Sequence, residues 1–370
     1  MTGAAGLRVL RIYHSGVVTG FRSRDRALRR LGVDLRLVSA KRWNEGGRDV
    51  ALRPSDDEWF VRGAGTIGRH PYVFLYDPRP IWGALRAHRP QVVDIHEEPA
   101  SLAALEVRLL LRLARQQPAV TFYGAQNIEK RFPLPFRWIE RASLRSAAGA
   151  HVCNHDAGEI FRRKGFTGDV AVIGLGVDVE RFRPPTVPLA EVPLQVGYIG
   201  RLEAHKGVQV LIRAVQDLPG VAVSIVGDGP YRSELEGLVQ ALGVEGCVRF
   251  LPFETHDDVA ARYRTFHVLV VPSLSTPAWV EQFGRVAVEA MATGVAVVAT
   301  RTGSLPEVLG ESGLLVEQGD VADLRRAIVR LRDDAGLRRS LGEAGIRRAQ
   351  RYRWDRVAEA QADLYAKVAG

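Results

Sequence analysis

The chain has 370 residues, 46% of them apolar and 25% charged, a length suited to two domains of roughly 150 to 200 residues and a composition that excludes a disordered or fibrous chain. No run approaches the about 18 apolar residues a membrane-spanning helix needs, and the N-terminus lacks the apolar stretch of a secretory leader. The two cysteines, Cys153 and Cys247, stand in no CxxC or Cys/His spacing, so a zinc or disulfide framework is not expected and a reducing, cytoplasmic setting is.

The net charge of +9 sits in the first half: residues 1 to 183 carry 30 Lys+Arg against 19 Asp+Glu, and the remainder 21 against 23. A half of this kind suits an anionic acceptor, an acidic lipid surface or nucleic acid. Only five of the 51 basic residues are lysines, so an arginine-rich coding bias is the competing explanation.

In chain order, Leu7 to Tyr13 (LRVLRIY) reads as a buried strand, followed by the loop His14 to Gly20, an amphipathic helix over Phe21 to Leu31 and a second strand at Val33 to Val38. Strands at Gln91 to Ile95, Ala119 to Phe122 and Gly149 to Cys153, with a helix over Leu102 to Arg115, continue a parallel sheet covered by helices. Residues Arg181 to Pro193 (RFRPPTVPLAEVP) hold the prolines of a linker. Beyond it, Leu194 to Ile199, Val221 to Val226, Val248 to Leu251, Val268 to Val271 and Val295 to Ala299 read as strands of a second sheet. The tail from Ala322 is helical in pattern. The expected domains are therefore 1–183 and 184–353, with the last helix, about 354–370, packing back on the first.

Chemistry concentrates at the strand ends of the second half. Gly200-Arg-Leu-Glu-Ala-His-Lys-Gly207 follows a strand and supplies two cations, Arg201 and Lys206, where open α/β sheets bind ligands. Arginine engages two phosphate oxygens at once and lysine acts as a point charge, so the pair suits a diphosphate. Gly227, Asp228 and Gly229 end the next strand, and their backbone is expected near a base or ribose. Glu281 and Glu289 flank Phe283 and Gly284, where a glycine at a helix start lets a phosphate approach free N–H groups. Taken alone, two carboxylates eight residues apart are an ordinary surface pattern.

Together the segments GRLEAHKG, VGDGP, EQFGRVAVEAMATGVAVVAT and TGSLPEVLG, with Trp138 to Pro184 ahead of them, resemble the retaining glycosyltransferases of family 4, in order and spacing and over nearly the whole chain. The resemblance implies the GT-B fold, two Rossmann-like doubly wound α/β domains facing a central cleft. It implies that Arg201 and Lys206 contact the donor diphosphate, Glu281 the sugar hydroxyls, Phe283 and Gly284 the phosphate, and Glu289 the ribose. Gly200 and Gly227 to Gly229 line the nucleoside pocket. In the first half the family's glycine pair is replaced by His14-Ser-Gly16, leaving Gly16 to offer an N–H to the diphosphate. His96, in Asp94-Ile-His-Glu-Glu-Pro99, falls where the family has a histidine facing the reacting sugar. Glu97 or Glu98 is expected to help orient the acceptor, Tyr123 to Asn127 to border its site, and Phe250 to Glu254 to border the base.

The expected activity is transfer of a sugar from a UDP- or GDP-sugar to a glycan, lipid-linked or small-molecule acceptor, with retention and with the departing phosphate able to take the acceptor proton. No cofactor or metal is expected, since Asp-x-Asp is missing and the two cations take the metal's place. Nucleic acid is not an expected partner; peripheral contact with an anionic membrane is left open by the arginines of Phe21 to Arg36. Alternatives are an epimerase or phosphorylase on the same fold, and a non-catalytic sugar-nucleotide or nucleic-acid binding module. Gly63-Ala-Gly-Thr-Ile-Gly68 matches GxGxxG, but no helix is expected after it, so it is read as a chance match.

Overall fold

Val9, Leu10 and Ile12 are fully buried because the strand they form lies in mid-sheet, with a neighbour on each edge and helices on both faces. The computed structural model describes residues 3–45, 47–187, 189–252 and 256–370. Contacts divide the chain into two units, Met1–Gly174 with Trp354–Gly370, and Leu175–Arg353.

The strands of the first unit are β1 (Arg8–Ile12), β2 (Asp34–Ala40), β3 (Arg42–Glu45), β4 (Arg48–Ala51), β5 (Val61–Ala64), β6 (Thr66–His70), β7 (Val73–Tyr76), β8 (Val92–Ile95), β9 (Ala119–Gly124), β10 (Gly149–Val152) and β11 (Asp169–Val172). Seven of them form one parallel sheet in the order β11-β10-β9-β8-β1-β2-β5. The β3–β4 and β6–β7 pairs are antiparallel ribbons, which the sequence reading did not resolve. The GxGxxG match runs from β5 into β6, and β6 turns back into β7 rather than into a helix. It forms no strand-to-helix phosphate turn.

The C-terminal helix Trp354–Ala369 belongs to this unit. Its Ala358 and Ala362 are small enough to let it lie close to the helix Ser23–Arg30, and with Tyr365 they join the core of Val9, Leu28 and Leu35. Part of the basic excess of this half is internal. Arg11, Arg22 and Arg24 are at most 3% exposed, and Arg22 is held by Glu58 at 2.8 Å. The Phe21 to Arg36 stretch is thus in part a structural ion network. Among the described residues no helix is long and apolar enough to cross a membrane.

The second unit carries β12 (Leu194–Ile199), β13 (Val221–Val226), β14 (Val248–Leu251), β15 (Val268–Val271), β16 (Ala296–Thr300) and β17 (Leu314–Val316) in one parallel sheet, ordered β14-β13-β12-β15-β16-β17. Valine, isoleucine and leucine dominate these strands because both faces are covered. Each unit is therefore a Rossmann-like doubly wound domain. The division falls after Gly174 rather than after residue 183, for a physical reason. Val177 bridges to Arg353, and the side chain of Arg264 donates to the carbonyls of Arg181 and Arg183.

Candidate functional site

In the second sheet the chain leaves β12 toward β13 and returns on the other side of β12 at β15. The crevice where strand order reverses is where open α/β sheets take ligands. The loops that end β12 and β15 meet there: the Leu274 N–H donates to the His205 carbonyl, and Lys206 Nζ lies 3.0 Å from Glu281 Oε2. Ser273, 1% exposed, donates to the same carboxylate oxygen at 2.9 Å. The Lys206 ammonium also lies 4.2 Å from the centre of the Trp279 ring, and His205 packs against the same ring.

Close approach of these loops depends on Gly207. Its φ is +72°, and a Cβ there would come within 1.8 Å of the Pro272 carbonyl oxygen. Arg201 is half exposed and paired with Glu203 at 2.6 Å, so each of the two cations rests against a carboxylate of its own unit. Phe283 packs on Tyr352, and Gly284, with φ +75°, caps the helix Arg285–Ala292. Among the described residues neither the Phe283 nor the Gly284 N–H has an acceptor within the unit.

Two expectations are refined. The glycines of VGDGP answer to backbone packing: a Cβ on Gly227 would lie 1.9 Å from the Gly200 carbonyl oxygen, and one on Gly229 2.3 Å from that of Leu202. The Asp228 carbonyl accepts from the Leu202 N–H, and its side chain accepts from the Gly229 N–H. Glu289 is 7% exposed and accepts from the Tyr263 hydroxyl at 2.8 Å. Burial holds its carboxyl above the ordinary range, against the pull of Arg285. Of Phe250 to Glu254, residues 253 and 254 lie outside the described residues.

The first sheet has its own reversal, between β1 and β8. His96 follows β8 and is 7% exposed, stacked on Tyr123 with ring centres 3.9 Å apart. Its Nδ1 lies 2.9 Å from Arg11 Nη2. A guanidinium can only donate, so Nδ1 is the acceptor and the ring hydrogen is on Nε2. Burial, then the Arg11 charge, push the imidazole well below its usual pKa; His96 is a neutral N–H donor.

Behind it, Asp94 accepts from Arg11, Thr121, His151, Gln361 and Tyr365. Asp94, His96 and His151 bring ligand atoms within 4.8 Å of one another, but Arg11 already donates to two of the three and is the cation of this cluster. Bound metal would have to displace it.

Gly16 does not offer the expected N–H, because that group is buried and donates to the Tyr13 carbonyl at 3.1 Å. The side chain that stands in the same loop is His14. Glu97 binds it: one oxygen takes the His14 backbone N–H at 2.8 Å and the Tyr76 hydroxyl at 2.7 Å, and the other takes His14 Nδ1. Glu98 is pushed up to about 7 by burial, with Glu140 and Glu97 adding to it. Ser273, Trp279, Arg11 and His14 are thus further candidates that no motif pointed to.

The D-inositol 3-phosphate glycosyltransferase of Streptomyces bingchenggensis is 36% identical over 262 residues, 63% of this chain and 56% of that protein. Its counterpart in Corynebacterium jeikeium is 37% identical over 222 residues, 54% of this chain and 52% of that protein. The chain thus spans about half the length of these curated relatives. Among solved structures, sucrose-phosphate synthase of Thermosynechococcus elongatus superposes with a TM-score of 0.73 at 21% identity, covering 98% of each chain. Anabaena Alr3699/HepE in complex with UDP and glucose superposes at 0.71 and 19%, covering 96% of this chain and 98% of that one. Such likeness speaks for the fold. Residues 14–181 match the family model described as Glycosyltransferase Family 4 and residues 182–348 that described as Glycosyl transferases group 1, and the chain belongs to glycosyltransferase family 4, with the two Rossmann-like domains of the GT-B fold.

Proposed function

We propose that this chain moves a glycosyl group from a nucleoside diphosphate sugar, bound on the second unit, to a hydroxyl-bearing acceptor bound on the first, with retention at the anomeric carbon and without a metal ion. The observation that carries the proposal is the Lys206–Glu281–Ser273 cluster at the strand reversal of the second sheet. A diphosphate arriving there draws Lys206 and Arg201 from their carboxylates, since phosphate oxygens are strong acceptors for both. Glu281 is then released to accept from the sugar hydroxyls. The Phe283 and Gly284 N–H groups add donors for the phosphate, and Glu289 has a second oxygen for the ribose. Gly200, Gly227 and Gly229 border the nucleoside through their backbone.

Departure of the diphosphate leaves an oxocarbenium-like sugar, and the protein acts by stabilising the leaving charge and orienting the acceptor. His96, a neutral donor, suits a sugar hydroxyl better than a phosphate. UDP is the first nucleotide to try and inositol 3-phosphate the first acceptor, on the strength of the relatives' names and the basic excess of the first half.

A thermal-shift panel of UDP, GDP and their sugars tests the donor. A nucleotide at a hundred times its Kd stabilises the folded state by about 2.7 kcal/mol. Incubation of the stabilising donor with inositol 3-phosphate, with and without EDTA, followed by NMR of the product anomer, tests the rest. If no nucleoside diphosphate raises Tm, the donor site is wrong; an inverted anomer removes retention, and loss of activity with EDTA removes metal independence.

A further inference from the structure

The helices Leu102–Leu113 and Phe136–Ser146 of the first unit lie side by side, and the Arg108 side chain of one donates to the Ser143 hydroxyl of the other at 3.5 Å. The first of them is apolar on more sides than the core uses. Ala103, Ala104, Val107, Leu110 and Leu111 are buried, which leaves Leu109 and Leu113 exposed, the latter at 70%. By helical spacing these two continue the stripe of Leu102 and Glu106. That stripe lies along β7, where the Leu102 N–H donates to the Tyr72 carbonyl and Glu106 accepts from the Tyr76 N–H. On the β6–β7 ribbon Ile67, 80% exposed, and its cross-strand partner Leu75 also face solvent. On the second helix Trp138 is 64% exposed, and Leu134 stands exposed just ahead of it. Large apolar side chains scattered singly are ordinary on a surface, whereas a run of them over neighbouring elements marks a contact face.

The same two helices carry five arginines and two glutamates. Both carboxylates are engaged within the fold, Glu106 by the Tyr76 backbone and Glu140 by Lys164 at 2.6 Å. Arg112, Arg137, Arg141 and Arg145 are exposed, and their side chains have no ion pair or hydrogen bond among the described residues. In this they differ from Arg22, which Glu58 holds inside the unit. Their charge faces outward.

A nucleic acid would answer the arginines and leave the leucines wet. An apolar protein face would cover the leucines and leave the arginines without counter-charge. An anionic bilayer answers both, with lipid phosphates at the level of the guanidinium groups and acyl chains beneath them for leucine and tryptophan. We propose that this face of the first unit docks on an anionic lipid surface, with Leu113 and Trp138 entering the boundary between headgroups and acyl chains. Docking of this kind needs neither donor nor acceptor, so it is measured on the chain by itself.

The test is co-sedimentation with vesicles of phosphatidylcholine alone and of phosphatidylcholine and phosphatidylglycerol in equal parts, at low and high salt. Wild type should bind the anionic vesicles at least about ten-fold more tightly than the neutral ones, and salt should weaken that binding. Arg141→Glu combined with Arg145→Glu should reduce the affinity by roughly ten-fold or more. Leu113→Ser combined with Trp138→Ser should also reduce it by roughly ten-fold or more, even at low salt, where charge alone would hold the chain. These side chains are exposed, so an unchanged Tm separates lost docking from lost folding. Equal binding to the two kinds of vesicle, no binding to either, or wild-type binding in the Leu113→Ser, Trp138→Ser variant would overturn the assignment. So would a dimer seen by sedimentation velocity without vesicles and dissociated by the same substitutions, since a second copy would then cover the face.

Discussion

Lys206 and Glu281 are separated by 75 positions in the chain and by 3.0 Å in the fold, each on a loop that ends a strand beside the reversal of the second sheet. The pair is partly exposed, 23% and 13%, so its own attraction contributes little to stability. Its value is in poise. Each side chain is held in place by the other, and Glu281 also by Ser273; a diphosphate can replace the carboxylate at Lys206, and sugar hydroxyls can replace the ammonium at Glu281.

Replacing Lys206 by alanine should lower kcat/KM by about ten- to a hundred-fold, the equivalent of a charge-assisted hydrogen bond of about 1.5 to 3 kcal/mol. Arg201→Ala should fall in the same range. Steady-state kinetics with a fixed acceptor check both, and near-normal turnover in the two variants would rule out their contact with the diphosphate.

Glu281→Gln should separate binding from rate. The amide keeps the shape and loses the charge that attracts sugar hydroxyls, so turnover should drop by more than nucleoside diphosphate affinity. Calorimetry beside kinetics decides this. Lost nucleotide binding with intact turnover would overturn the role of Glu281 at the sugar.

Gly207→Ala should undo the meeting of the two loops without touching any substrate group. The residue has φ +72° and its new Cβ would lie 1.8 Å from the Pro272 carbonyl, so the loop after β12 must move and carry Lys206 with it. Expected outcomes are a loss of about 1 to 3 kcal/mol in unfolding free energy and nucleotide affinity at least as weak as in Lys206→Ala. A variant with wild-type Tm and affinity would mean that the loop tolerates the shift.

The strands of the second sheet were legible because covered parallel strands are continuous apolar runs. Val221–Val226, Val248–Leu251 and Val268–Val271 have the limits their composition suggests. The next one begins a residue late, at Ala296, because the Val295 N–H is used to close the preceding helix on Ala290. The β3–β4 ribbon was illegible, since RWNE and RDVA carry no apolar period. Lys206 and Glu281 were found through motifs, whereas Ser273 and Trp279 lie in a loop whose spacing says nothing about where it folds. Arg11 and Asp94 did leave a signal. Each interrupts an otherwise apolar strand, and they are register partners across β1 and β8; a charge inside a covered strand implies a buried partner.

That buried pair yields a prediction with a definite pH dependence. Burial works against the charge of Asp94, yet the hydrogen bond from His151 and the Arg11 guanidinium hold its carboxyl well below the usual carboxylate range. Unfolded, the same group titrates near 3.9. A carboxyl with a depressed pKa in the folded chain binds fewer protons there than when unfolded, so its contribution is complete above about pH 5 and is lost as pH falls toward the folded value. Asp94→Asn should therefore destabilise the first unit by about 3 to 5 kcal/mol near neutral pH, and the gap to wild type should stay constant from pH 8 to 5 and narrow below about pH 4. Tyr365→Phe removes one donor from the same carboxylate at about 1 kcal/mol and should show much less narrowing. Denaturant midpoints measured across this pH series decide between the two behaviours: a gap that persists unchanged into acid would mean that Asp94 is held by shape and hydrogen bonds alone, and that Arg11 contributes no charge to its place in the fold.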